Sequence, residues 1–437
     1  MKFRSLTDRS IERDFASAVI EGIAPDRGLY FPEVVPVLDE SVWLAPENAS
    51  PGDFGATMLT PFVGASFDPD DVRALFRAAI DFPIELVALE DGRYVLELFH
   101  GPTAAFKDVG ARSMARLLAG VSSASLTVLV ATSGDTGSAV AAGFQGVPGI
   151  DVVILYPGGR VSPLQERQLT TAGGNIHALE IQGNFDDCQA LVKQAFLDAE
   201  LRARRPLTSA NSINIARWMP QGLYYAYATY LLGGPVHFVV PSGNLGNLAA
   251  GVLAHRMGMP AAGFTAATNA NDVYPQYLAG GAYTPRPSVA TLSNAMDVGD
   301  PSNAPRLDAL FAGDRAALRA AVRGATVSEA ETAEEMQRTW RESGYMACPH
   351  TAVGLAAARN VQSQQEKEGR DVPVVVLGTA HPAKFSDAVH SILGTPPDLP
   401  DSIAACLDKP AHKTPLPADY TALRDWLLAP AASHTRA

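Results

Sequence analysis

The chain has 437 residues, 47% of them hydrophobic, enough for one large or two to three modest domains with a substantial core. Its formal net charge of −12 argues against a nucleic-acid partner and requires any anionic ligand to be held by local positive features. No uncharged apolar run reaches membrane-spanning length, the first residues lack the apolar stretch of a secretion signal, and Cys188, Cys348 and Cys406 show neither disulfide nor metal-ligand spacing, so a cytoplasmic protein without a metal or a membrane partner is expected.

In chain order, residues 1–85 read as a separate cap. They carry a helix pattern over Arg9–Glu21, a turn-rich segment from Pro25 to Pro32, and a second helix over Asp70–Ile80 started by Asp68-Pro69. From residue 86 the pattern changes to short β-branched runs alternating with helical patterns. Strands are predicted at Tyr94–Phe99, Leu126–Ala131, Val152–Tyr156, Val236–Val240 and Val372–Leu377, and helices at Val109–Leu118 and Trp218–Tyr230. Continuous apolar strands separated by helices indicate an α/β fold whose sheet is mostly parallel and covered on both faces. Residues 86–395 form this part, and the Pro-rich 396–437 reads as a tail packed on the surface.

Five segments between these elements can carry chemistry. His100-Gly-Pro-Thr-Ala-Ala-Phe-Lys-Asp108 places Lys107 at a strand-to-helix turn, where open α/β sheets bind ligands. Cations favour helix C-termini, so a lysine at a helix start is out of place as mere surface charge. Among apolar neighbours its amine can lose a proton and attack a carbonyl. Lys384 is the other lysine at such a turn.

The turns Thr132-Ser-Gly-Asp-Thr-Gly137 and Ser242-Gly-Asn-Leu-Gly-Asn247 each follow a strand and open a helix. Their similarity suggests two sheet-based lobes facing one another, the first spanning roughly 112–225. Either turn can point backbone N–H groups at an anion, and either reads equally as a tight capped turn. Asn211, Ser212, Asn214 and Arg217 crowd polar groups before the next helix, where Arg217 is a phosphate fork or a surface arginine. After the last strong strand come Thr379, a hydroxyl at the same cleft, and His381, an acid–base group or a capping residue.

Together these segments resemble threonine synthase, a pyridoxal-phosphate enzyme of the tryptophan-synthase-β-like fold. The resemblance covers nearly the whole chain: Phe99–Asp108, Ala131–Gly137, Asn211–Arg217 and Pro241–Asn247 fall in the family's order, and Gly22–Glu33 is similar to its N-terminal signature. It implies a two-lobed open parallel-sheet fold with an N-terminal cap, and pyridoxal 5'-phosphate as an internal aldimine on Lys107. It implies that Gly243, Asn244, Leu245, Gly246 and Asn247 bind the cofactor phosphate, that Thr379 meets the pyridine nitrogen, and that Asp135 lies near the phenolic oxygen. Thr132, Ser133 and Thr136 would hold the substrate carboxylate, and Asn211, Ser212, Asn214 and Arg217 its phosphate. The implied reaction converts O-phospho-L-homoserine and water to L-threonine and phosphate, in a monomer or homodimer. Two alternatives stand beside it: a phospho-lyase acting on O-phosphothreonine-like substrates with the same cofactor, and a non-catalytic binding protein on a degenerate enzyme fold.

Overall fold

Two parallel sheets and a small antiparallel one organise the computed structural model, which describes residues 1–44, 49–89, 92–132 and 134–429. The larger sheet has six strands in the order Val322–Thr326, Ala261–Thr268, Val236–Pro241, Val374–Gly378, Tyr94–Glu97 and Glu85–Ala88. Its neighbours are parallel except the last pair, where Glu85–Ala88 runs antiparallel to Tyr94–Glu97. The second sheet has five strands, all parallel: Thr414–Pro417, Ile176–Gln182, Ile150–Pro157, Leu126–Ala131 and Leu207–Thr208. Every residue of Leu126–Ala131 and Val236–Pro241 is buried, which is why these strands read as unbroken apolar runs.

All five predicted strands form, with ends shifted by up to two residues. Two central neighbours gave no such signal. Ile176–Gln182 interrupts its apolar residues with His177 and Glu180, and Ala261–Thr268 is built of Ala, Gly and Thr around one Phe. In the cap, the helix expected over Arg9–Glu21 occupies only Phe15–Glu21. Glu12–Asp14 instead pairs antiparallel with Lys2–Arg4, and the Asp14 side chain caps the helix by accepting from Ser17 N at 2.8 Å. The second cap helix spans Pro69–Ala79, with Asp68 accepting from Asp70 N at 3.0 Å. The helix expected over Trp218–Tyr230 breaks into Ile215–Trp218, a 3₁₀ turn Met219–Gly222 and Leu223–Leu232. Pro220 lies in that turn and has no N–H to continue the ladder.

The tail does more than cover the surface. Thr414–Pro417 adds an edge strand beside Ile176–Gln182, and helix Tyr420–Leu428 buries Leu423 and Leu427 against the same lobe. Both sheets present their C-terminal strand ends to one region. Thr132 follows Leu126–Ala131, Ser242 follows Val236–Pro241, Thr379 follows Val374–Gly378, and the segment after Tyr94–Glu97 leads to Lys107. Among the described residues no helix is long and apolar enough to cross a membrane.

Candidate active site

Lys107 is the first residue of helix Lys107–Val121. The loop before it is pinned to the strand end opposite: Phe106 N donates to Thr379 O at 2.9 Å, and Ala105 bridges Ala380. Asp108, fully buried, ties the loop from below by accepting from Thr103 N at 2.9 Å and Thr103 Oγ1 at 2.6 Å. The Lys107 amine has no hydrogen bond or ion pair among the described residues, and it lies over the Phe106 ring, 5.9 Å from Nζ to centroid. Desolvation lowers its pKa to about 8; the Asp135 carboxylate raises it, and Arg217 and Lys384 lower it further. A lysine in this state has a far larger free-amine fraction near neutral pH than an ordinary lysine, which makes it a usable nucleophile.

Asp135, first residue of helix Asp135–Phe144, faces the same space. Its Oδ1 accepts from Lys384 Nζ at 2.8 Å and from Gln165 Nε2 at 2.9 Å. Burial pushes its pKa up, but the Lys384 ammonium, then Lys107, and the two hydrogen bonds hold it well below the usual carboxylate range. Lys384 also donates to Thr103 O at 2.8 Å and is 3% exposed, so this second turn lysine is committed. His350 lies within electrostatic reach of both Asp135 and Lys107. Burial lowers its pKa to about 4, keeping it neutral, and its Nε2 accepts from Ala295 N at 3.1 Å.

The two anion-binding turns differ in what they leave free. Thr132 Oγ1 is spent within its turn, accepting from Gly134 N at 3.0 Å and Gly137 N at 2.9 Å. Gly134 holds φ +145°, and a Cβ there would meet the Gln165 carboxamide at 2.5 Å, so the turn requires glycine. Thr136 keeps a hydroxyl without a partner among the described residues, and Ser133 lies outside them. In the other turn Leu245 takes a left-handed φ of +61° and helix Gly246–Arg256 begins. Asn247 Oδ1 accepts from Tyr224 at 2.5 Å and Tyr225 at 2.7 Å, leaving its buried Nδ2 with no partner among the described residues.

The polar loop before Ile215 divides in the same way. Asn214 is occupied: Oδ1 caps its helix through Ala216 N at 3.0 Å, and Nδ2 donates to Val19 O at 2.9 Å and Ser209 O at 3.2 Å. Ser212 Oγ accepts from Asn303 Nδ2 at 3.1 Å, and the Asn211 side chain has no partner among the described residues. Arg217, 3% exposed, donates from Nη1 to Ala210 O; burial lowers its pKa to about 10, against the pull of Asp108. The 211–217 loop and the 243–247 turn touch: a Cβ on Gly246 would lie 3.1 Å from Ser212 Cβ. Sequence reading treated these as separate places. It also passed over Gln165, His350, Asn303 and Arg306, for which only a Pro-His helix start and an Asn before a helix offered any signal. His381 caps the turn Pro382–Phe385 through Ala383 N at 3.2 Å. Among the described residues, the one group placed to chelate a cation is Glu85, Glu97 and His100, where His100 Nε2 is 2.7 Å from Glu97 Oε2.

A sequence family described as pyridoxal-phosphate dependent enzyme matches residues 89–378. Families described as threonine synthase N terminus and threonine synthase C-terminal match residues 2–80 and 351–427. The threonine synthase of Escherichia coli is 43% identical over 438 residues, covering 98% of this chain and 99% of that one. The chain belongs to the threonine synthase family. The Serratia marcescens threonine synthase is 42% identical over 98% of this chain and 99% of that one. A crystal structure of pyridoxal-phosphate-bound threonine synthase from Brucella melitensis superposes with a TM-score of 0.91 at 36% identity, covering all of both chains. As a member of this family the chain is a pyridoxal-phosphate-dependent lyase of the α/β class.

Its own residues fit that cofactor. An amine without a partner among the described residues faces the cleft at Lys107. The Thr379 hydroxyl lies at the adjoining strand end, also without a partner among the described residues. The turn 243–247 opens a buried helix start, and Asn247 Nδ2 lacks an acceptor there. A Cβ on Gly243 would press on Met296 Cα at 3.0 Å, so the turn is shaped around backbone rather than side chains.

Proposed function

We infer that this chain converts O-phospho-L-homoserine and water into L-threonine and phosphate, with pyridoxal 5'-phosphate carried on Lys107. The observation that carries this reading is an uncommitted Lys107 amine, desolvated to a pKa of about 8, within the field of a buried Arg217 guanidinium. The bound cofactor supplies an electron sink for carbanions at the substrate carbons. The turn Gly243–Asn247 would hold the cofactor phosphate at its helix start, and Thr379 would donate or accept at the ring nitrogen. Asp135, its charge shared with Lys384, would lie toward the phenolic oxygen.

Lys107 then works as a base. Its low pKa lets it take and return protons at the substrate carbons without a large energetic mismatch. Arg217 steadies the phosphate leaving the γ-carbon, and burial strengthens that interaction over its value in water. Asn211 and Ser212 add neutral donors beside it, while Asn214, whose amide is fully engaged, contributes by holding the loop. Thr136 would meet the substrate carboxylate, where N–H groups at the start of helix Asp135–Phe144 favour an anion; Thr132 shapes that turn, and the part expected of Ser133 lies outside the described residues. Residues 1–85 act as cap, 86–395 as the catalytic unit and 396–437 as its tail. The chain would work in the cytoplasm as a monomer or homodimer on a small phosphorylated amino acid, without a membrane partner, and its net charge of −12 argues against a nucleic-acid one.

Purified protein incubated with O-phosphohomoserine should release phosphate and threonine in equal amounts. Phosphate without threonine, or a keto acid from O-phosphothreonine in place of this reaction, would overturn the reading in favour of a phospho-lyase.

A further inference from the structure

Asn303 and Arg306 lie outside every segment assigned above, yet both are fully buried beside the phosphate turn. Asn303 precedes helix Ala304–Leu310, and Arg306 is on its first turn. The backbone N and the Nδ2 of Asn303 both donate to Asn244 O, at 3.2 and 3.0 Å. That carbonyl belongs to the residue before Leu245, whose φ of +61° is one that L side chains rarely adopt. Asn303 Nδ2 also donates to Ser212 Oγ at 3.1 Å, and its Oδ1 accepts from Arg306 Nη1 at 2.7 Å.

Arg306 extends the same network. Nη1 donates to Ser212 O at 2.7 Å, and Nη2 to Ile213 O and to Tyr30 O of the cap. The guanidinium lies over Trp218, 4.3 Å from the ring centroid, and Nε has no partner among the described residues. Each of these acceptors is neutral. A buried cation without a carboxylate is costly unless something nearby supplies negative charge. Carbonyl dipoles and an aromatic face compensate it partly. Two anions assigned to this site would do the rest: the cofactor phosphate at 243–247 and the substrate phosphate at 211–217.

We propose that Asn303 and Arg306 are positioning residues that lock the phosphate turn and the 211–214 loop to one another, so that binding of a phosphate dianion depends on them although neither touches it. This rests on the reading of Gly243–Asn247 as the cofactor-phosphate cradle. Asn303 keeps the left-handed turn in shape before any ligand arrives. Arg306 keeps Asn303 and the loop in register and adds positive potential behind both. Preorganised donors of this kind raise affinity by removing the reorganisation that binding would otherwise require.

The test compares titration of apoprotein with pyridoxal phosphate and with pyridoxal, which lacks the phosphate. Variants are Asn303→Ala, Arg306→Lys, Leu307→Ala and Gly243→Val; Leu307 is buried on the same helix and serves as a packing control. Asn303→Ala and Arg306→Lys should weaken pyridoxal phosphate at least tenfold and change pyridoxal less than twofold. Leu307→Ala should lower Tm while leaving the ratio of the two affinities as in the wild type. The proposal is overturned if Asn303→Ala and Arg306→Lys leave that ratio unchanged while Gly243→Val lowers it. If Gly243→Val also leaves it unchanged, the cradle reading fails and takes the proposal with it. Should Asn303→Ala not fold, Asn303→Ser keeps a short polar group there and is read by the same ratio.

Discussion

Lys384 Nζ sits 2.8 Å from Asp135 Oδ1, and that ion pair sets the charge environment of Lys107. The pair is buried, with Thr103 O and Gln165 Nε2 completing its hydrogen bonds. Breaking such a pair by removing one partner costs about 3–5 kcal/mol, because the other charge is left behind. Lys384→Met should therefore destabilise the protein by that order, measured by denaturant unfolding. It should also raise the Lys107 pKa above about 8, since it removes a nearby cation and frees Asp135 to act on Lys107 alone. The pH midpoint for capture of pyridoxal phosphate by the apoprotein would shift upward. A midpoint that stays put or falls would mean that the pair does not govern Lys107.

Lys107 itself carries a stability signature. Its folded pKa is depressed from 10.5 to about 8, so protonating it costs the apoprotein about 3 kcal/mol at neutral pH. The sign is that of a lowered pKa: the favourable contribution is complete above the unfolded value and is lost as pH falls through about 8. Lys107→Met apoprotein should then be more stable than wild type at pH 7 by an amount of this order, and the gain should vanish near pH 10.5. Equal stabilities across that range, by thermal or chemical denaturation, would contradict the desolvated amine.

Only one of the two turn lysines should carry cofactor. Lys107→Ala should lose the visible absorbance of the holoenzyme and all borohydride-fixed attachment. Lys384→Ala should retain both in whatever fraction folds, because its amine is already engaged by Asp135 and Thr103. Mass spectrometry of the reduced protein after proteolysis locates the modified peptide.

Much of this site was legible because its signals are local. Lys107 stands out within nine residues of sequence, and the turns 132–137 and 242–247 show themselves by glycine next to a strand. The strands found in advance are those buried on both faces. What escaped is long-range. Lys384 reaches Thr103 across 281 residues, and Asn303 reaches Ser212 across 91, with no spacing to announce either contact. Asn214 illustrates the converse, a local signal whose hydrogen bonds are long-range. Its place in a polar cluster suggested a ligand contact, yet its amide holds Val19 and its own helix, and only the fold could show how a cap residue claims it. The neutral Ala- and Gly-rich strand Ala261–Thr268 was missed for a related reason. It forms because strands on both sides pair with it, not because its residues favour extension.

Arg217 should act on the substrate phosphate rather than on the fold alone. Lysine in its place keeps the charge but loses the planar fork that pairs two phosphate oxygens. Arg217→Lys should raise KM for O-phosphohomoserine by about 10–100-fold, equivalent to about 1.4–2.7 kcal/mol, and weaken inhibition by inorganic phosphate in parallel. Cofactor affinity should change far less. A variant that lost pyridoxal phosphate and substrate equally would place Arg217 in the cofactor cradle instead.

The cap is joined to this loop, which makes it a reporter of substrate binding. Asn214 Nδ2 donates to Val19 O, Arg306 donates to Tyr30 O, and a Cβ on Gly22 would meet Thr208 Oγ1 at 3.0 Å. Ordering of the 211–217 loop by a phosphate would therefore be felt at the C-terminal end of helix Phe15–Glu21 and along Tyr30–Pro32. Hydrogen exchange at these amides should slow when O-phosphohomoserine or inorganic phosphate saturates the holoenzyme. The effect should weaken in Arg217→Lys at the same ligand concentration, because the loop is then less occupied. Exchange in residues 1–85 that is indifferent to both ligands would show that the cap packs beside the site without responding to it.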